Sequence, residues 1–268
     1  MTAITSPIQR FAPASGLESH AAADALTIAW RNLVNLRRSP QLLVFATIQP
    51  VIFVLLFRYV FGGAIQVTGF RYVDFLMPGI FAQTITFGAI NTGVGLAEDL
   101  NKGLIDRFRS LPMARSAVLI GRTVADIARN VFVITLMVIV GFMVGFRIHT
   151  NALGLIAGVA LMLLFSFSLS WIFATIGLAI GNAEAAQAAS FPILAPLTFA
   201  SSAFVQTSSM PGWLQGFAKH QPVTVTVDAV RALCLGGPTT GKVLAAVAWC
   251  VGIVAVFAPL AVRRYRNS

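Results

Sequence analysis

Long apolar runs alternate with short polar stretches along the chain. Six of these runs are near the roughly 20 residues that a helix needs to cross a bilayer. They cover about 42–61, 72–97, 127–146, 152–180, 186–205 and 243–262. Gln49, Pro50 and Arg58 interrupt the first run, and Arg58 lies near its end, where a long side chain reaches the head groups. Pro192 and Pro196 sit inside the fifth; they remove backbone donors and should bend that helix, which membrane proteins tolerate when neighbours cover the freed carbonyls. Ahead of the runs, residues 24–38 place Leu26, Trp30, Leu33 and Val34 near helical spacing, with Arg31, Arg37 and Arg38 among them. This segment is too polar to span and predicts a helix lying in the membrane surface. Residues 1–23 contain Pro7, Pro13, Gly16, Glu18 and His20 where a signal peptide would have an apolar core, and read as a disordered tail. The expected fold is an all-α membrane protein. A transmembrane domain over 24–262 comprises the interfacial helix and six spans, and 263–268 forms a basic tail.

Composition agrees with the pattern. Of 268 residues, 57% are hydrophobic and only 10% are charged, against about 25% charged in soluble domains. That leaves too little polar surface for a large aqueous module. The net charge of +10 would point to nucleic acid in a soluble protein, but here the basic residues flank apolar runs, where they set topology and meet anionic lipid. No nucleic-acid partner is expected. An even number of spans puts both termini on one side, and that side holds 13 of the 19 Lys and Arg residues, so both termini are expected in the cytoplasm. Cys234 and Cys250 read as small apolar fillers.

Sites for chemistry are scarce. Gly236 to Lys242 has the G-x-x-x-x-G-K spacing of a phosphate loop, but Val243 stands where Ser or Thr would hold magnesium, and an apolar helix follows without a preceding strand. An ATP-driven machine built on this chain must therefore take its ATPase from another polypeptide. His20, His149 and His220 are scattered through a tail and two loops, with no metal-ligand or triad spacing. The chain reads as no enzyme, with no cofactor of its own. Asp126 and Arg129, three apart at the start of the third run, form an expected interfacial ion pair.

The second run carries Thr84, Gly88, Asn91 and Gly95 on one helical face. Such a face either packs closely on another helix or lines a polar path. The pairs Gly141/Gly145, Gly154/Gly158 and Gly177/Gly181 are expected to be packing faces, and Ser166 and Ser170 to bond back to helix carbonyls.

Two connections are long. The cytoplasmic one, 98–122, sets Leu100, Leu104, Phe108 and Leu111 in one apolar stripe among Glu98, Asp99, Asp106, Arg107 and Arg109, before Pro112. A short amphipathic helix of this kind docks into a groove on a soluble partner or lies on lipid. The external one, 206–242, mixes aromatic, Pro and Gly residues. In it Trp213 and Phe217, four apart, suit the outer interface, and Asp228 and Arg231, three apart, can pair at the mouth.

Taken in order, the basic interfacial helix, the six spans, the loop ending in RFRSLPMARSAVLIGR, and the P-G-W-L-Q, H-Q-P and D-A-V-R-A-L segments before the last span resemble ABC-2-type permeases of ABC exporters. The daunorubicin-resistance group is the nearest in kind. The resemblance covers nearly the whole chain after residue 24. It implies that 24–38 is the elbow helix, and that the loop from Glu98 seats on the nucleotide-binding subunit, with Glu98 at the family's acidic position. It also implies that 210–231 forms short re-entrant helices closing the external mouth. Two permease subunits, identical or paralogous, would join two ATPase subunits that bind ATP and magnesium and would export a drug, polyketide, lipid or glycan from the cell. The alternative is an ATP-independent secondary transporter or channel, which would require intramembrane carboxylates or broken-helix ion sites.

Overall fold

The computed structural model describes residues 40–63, 65, 67, 69–102 and 115–267. The expected tail and elbow helix, and Leu104, Asp106, Arg107, Phe108 and Leu111 of the cytoplasmic loop, lie outside the described residues.

The described residues form helices and no strand. Helix α1 is Pro40–Leu55, continued by a π-helical stretch Leu56–Val60; α2 is Tyr72–Asn101, α3 Arg115–Val144 and α4 Ala152–Ile180. Helix α5 is Ala183–Phe199, α6 Gly212–His220, α7 Pro222–Leu235 and α8 Thr240–Asn267, with a 3-10 turn at Thr207–Ser209. Among the described residues four helices are long and apolar enough to cross a membrane: α2, α3 from Thr123, α4, and α8 to Tyr265. Thr47–Val60 is a shorter apolar helix.

Local chemistry sets the helix ends. Gly181 closes α4 in the left-handed region (φ 68°), which glycine reaches without a Cβ clash. The next residue, Asn182, caps α5 by accepting the Ala185 N–H at 3.0 Å. Two residues thus reverse the chain between α4 and α5. Asn151 caps α4 through the Gly154 N–H at 2.8 Å. Gln221 separates α6 from α7: its Oε1 accepts the Val223 N–H, and Pro222 takes the first helical position, where no donor is needed.

Helix α2 is the hub, with 83% of its most apolar window buried against 17% for α8. Neighbours cover it on most sides, so it lacks the single broad apolar stripe of a surface helix. It packs against α3, α4, α5 and α7. A close helix crossing joins α2 to α4 at Gly93 and Gly177, where a Cβ on Gly177 would lie 2.7 Å from the Gly93 carbonyl carbon and one on Gly93 3.0 Å from that of Phe173. Glycine at both positions lets the two backbones touch. Gly154 and Gly158 instead face α7, close to Leu233, Val230 and Cys234. Cys234 and Cys250 are both buried and unbridged in the apolar core.

Helix α5 stops at Phe199, six residues short of the expected end of that run, and a turn and bend carry the chain through 200–205. The physical reason lies in α7, whose Arg231 captures the carbonyls of that segment.

Candidate functional site

Arg231 projects from α7 into the break after α5 and is 8% exposed. Its Nη2 donates to the carbonyls of Ser202 and Ala203, and its Nε to the Phe75 carbonyl at 2.9 Å. Its Nη1 donates to Asp228 Oδ1 at 3.0 Å and to Ser202 Oγ at 3.2 Å, and Ser202 Oγ donates to the same carboxylate at 2.7 Å. The guanidinium lies 3.5 Å from the centroid of the Phe75 ring, a cation–π contact strengthened by desolvation. One planar fork therefore ties α2, α7 and the irregular 202–203 segment together, a task for which a lysine has too few donors in the wrong geometry. The predicted Asp228–Arg231 pair is present, but it anchors backbone inside the protein. Gln221 adds a second tie, donating to the Leu197 carbonyl and to Thr224 Oγ1, which in turn accepts the Ser202 N–H. Beside this anchor Trp213 is 81% exposed and Phe217 is also exposed, so α6 offers an aromatic face outward.

The polar face of α2 is split. Gly95 is buried, whereas Thr84, Gly88 and Asn91 line a cavity of about 110 Å³ between α1, α2 and α3, with Gln49, Gln83, Phe87, Arg129 and Asn130. Behind its wall a polar network crosses three helices. Thr92 of α2 donates to Asp126 of α3 and lies 3.3 Å from Ser170 of α4. Asn130 donates to Ser166 Oγ, Ser170 bonds back to the Ser166 carbonyl, and Arg129 donates to the Gly88 carbonyl at 2.8 Å. Asp126 and Arg129 are paired as their spacing implied, at 3.5 Å, but their side chains are each only 13% exposed. Spacing reveals a pair; it does not reveal that two other helices cover it. The aromatic residues of the spans also separate: Phe81 is core against Phe146, Phe53 and Phe57 pack on Phe204, and Phe87 alone lines the cavity.

Sequence reading passed over Asp74. It is fully buried in the first turn of α2, pairs with Arg71 at 3.0 Å, accepts the Arg147 N–H at 2.8 Å and lies 4.0 Å from His149. The available signal was the i,i+3 spacing of Arg71 and Asp74, together with an acid at a helix N-terminus. This cluster joins the start of α2 to the α3–α4 turn.

At the opposite end of α2, Glu98 is exposed and pairs with Lys102 at 3.2 Å. Leu100, one member of the expected docking stripe, packs against the cluster formed by Leu96, Trp171, Ala174, Leu178, Ala261 and Tyr265. It belongs to the base of the bundle.

Apolar helices of spanning length, arranged around a central glycine-rich helix, define a multi-pass membrane protein. The chain belongs to the ABC-2 type transporter family, which it matches over residues 24–235. It is similar to the daunorubicin resistance ABC transporter permease protein DrrB1 of Streptomyces coeruleorubidus, at 37% identity over 245 residues, 91% of this chain and 86% of the relative. It is also similar to the doxorubicin resistance ABC transporter permease protein DrrB of Mycobacterium tuberculosis, at 29% identity over 210 residues, 75% of this chain and 72% of the relative. It is thus a membrane permease of the ABC exporter type, an integral protein of the bacterial plasma membrane.

Proposed function

We infer that this permease forms half of the translocation pathway of an exporter for amphipathic, drug-like molecules, driven by a separate ATPase subunit. The observation that carries this reading is the kinship with a daunorubicin-resistance permease over 91% of the chain. In this reading α1 with its π-helical extension, α2, α3, α4, α5 and α8 are the six spans, both termini face the cytoplasm, and α6 and α7 are re-entrant elements at the external mouth. The excess of basic residues on one side supports that orientation. Trp213 and Phe217 then face the outer interface, and Asp228 and Arg231 brace the gate from within. ATP and magnesium belong to the partner ATPase, and a second copy of the chain or a paralogous permease completes the pathway.

The ATPase seats on the loop that begins at Glu98, with Asp99, Leu104, Asp106, Arg107, Phe108 and Leu111 as its contacts. Closure of the ATPase pair on ATP displaces that loop, and α2, the most buried of the four helices of spanning length, conveys the displacement to its neighbours. Support for the ATP-driven reading over a secondary transporter is family membership and the absence of an acid from the middle of the spans.

The test is co-purification with an ABC ATPase subunit from the same organism, followed by ATP hydrolysis with and without transported drug. Stimulated hydrolysis is expected, and failure to associate overturns the reading. Replacing Leu104 and Phe108 together with Ala is expected to leave membrane insertion intact and to lower drug-stimulated hydrolysis and export by about tenfold or more, the effect of losing two apolar anchors of an interface. Transport at the wild-type rate would remove the loop from the coupling role.

A further inference from the structure

The cavity between α1, α2 and α3 carries a specific chemical signature. Gln83 lines it, is 4% exposed, and its Oε1 has no hydrogen-bond partner among the described residues. A buried acceptor without a partner is costly, most of all in a low-dielectric bundle, and persists in native proteins where something else satisfies it. Asn130, also 4% exposed, uses its Nδ2 on Ser166 and leaves Oδ1 toward Gly88, where a Cβ would lie 3.3 Å from it. Arg129, whose Nη2 donates to the Gly88 carbonyl, is a lining residue with further donors on its guanidinium. Its charge is balanced by Asp126 at 3.5 Å. Phe87, Pro50 and Val133 supply the apolar wall, and the exposed Gln49 and Asn91 stand among the lining residues.

We propose that this cavity is a substrate subsite that binds an uncharged polar ring edge, one bearing hydroxyl and carbonyl groups, of an amphipathic molecule. The hydroxyl donates to Gln83 Oε1 or Asn130 Oδ1, the carbonyl accepts from Arg129, and the ring lies against Phe87. Because the Asp126–Arg129 pair is already neutral, the site selects hydrogen-bonding groups and does not select net charge. At about 110 Å³ it holds one ring of a ligand, below the roughly 300–1,000 Å³ of pockets that enclose a whole drug-sized molecule. The rest of the molecule lies outside, along the outer faces of α1 and α2. The subsite deepens the exporter reading and rests on it for the word substrate.

Replacing Gln83 with Leu tests the subsite. The exchange nearly keeps side-chain volume and removes a buried group that has no protein partner for its oxygen, so the fold should be at least as stable as before. With purified permease in lipid nanodiscs, daunorubicin binding is followed by fluorescence and thermal unfolding is followed in parallel. Gln83→Leu is expected to weaken daunorubicin binding by about tenfold, the value of one or two hydrogen bonds, with an unfolding temperature no lower than that of the unmodified protein. Thr84→Val, which removes a second oxygen from the lining at constant shape, is expected to weaken binding in the same direction. Wild-type affinity in both variants, or no saturable binding to the unmodified permease, would overturn the subsite, and so would weaker binding matched by a lower unfolding temperature in both. Loss of the exporter reading looks different: the permease would bind daunorubicin in a Gln83-dependent way yet fail to associate with any ATPase.

Discussion

Arg231→Met is expected to be the most damaging single exchange in the half of the molecule that holds α6 and α7. The methionine fills much of the same volume, but three backbone carbonyls, of Phe75, Ser202 and Ala203, lose their donor, and Asp228 loses its countercharge. Leaving a buried polar group without its donor costs about 1–3 kcal/mol, so the carbonyls dominate the loss; Asp228, whose side chain is 38% exposed, keeps its access to solvent and adds less than a fully buried partner would. For a chain of this length the loss corresponds to a fall in unfolding temperature of roughly 10 °C. Thermal unfolding in detergent, read on the folded fraction by size-exclusion chromatography, measures it. Arg231→Lys should recover only part of the loss, because an ammonium cannot reach Phe75, Ser202 and Asp228 together with the geometry of a planar fork. If methionine at this position unfolds at the wild-type temperature, the anchor is not what holds the 202–203 segment in place.

Gly177→Ala is expected to have a comparable effect through a different cause. The added Cβ falls far inside van der Waals contact with the Gly93 backbone, whose carbonyl carbon would be 2.7 Å away. No side chain can rotate out of the way, so α2 and α4 must separate along their crossing. Overpacking costs about 1–3 kcal/mol where side chains can adjust, and here the clash is backbone on both sides. Poor folded yield is expected, together with low transport in any protein that does insert. Gly252→Ala on α8, where a Cβ would meet nothing within 4 Å, should be silent in the same assay. Equal behaviour of the two variants would show that the α2–α4 contact is not a tight joint of the bundle.

Much of the architecture was legible because a bilayer imposes a length and an apolarity that sequence displays directly. The runs at 72–97 and 152–180 fall on α2 and α4. Pattern was less informative at the break after α5. Residues 200–205 continue an apolar run, and nothing local says that Arg231, almost thirty residues further on, would draw those carbonyls out of a helix. The two prolines of α5 were visible, yet α5 continues through both to Phe199. The small-residue face of α2 was noticed, but the glycines of α2 that meet other backbone most closely are Gly79, against Ala203, and Gly93, against α4, both outside the stripe of Thr84, Gly88, Asn91 and Gly95. Most faces of a central helix are covered, so the stripe that looks distinctive in sequence need not be the one that touches most closely.

The sequence by itself determined that this is an all-helical membrane chain whose sparse charges lie mostly beside its apolar runs. Those properties follow from composition and periodicity, which need no partner to be read. Tertiary structure alone decided what each polar group in the bundle does. Asp126 and Arg129 became part of a three-helix network, Arg231 became an anchor for three carbonyls, and Gln83 was left with an unsatisfied oxygen in a cavity. The reason is that a hydrogen bond is fixed by distance and direction between residues far apart in the chain, and sequence spacing encodes such geometry only within a single helix.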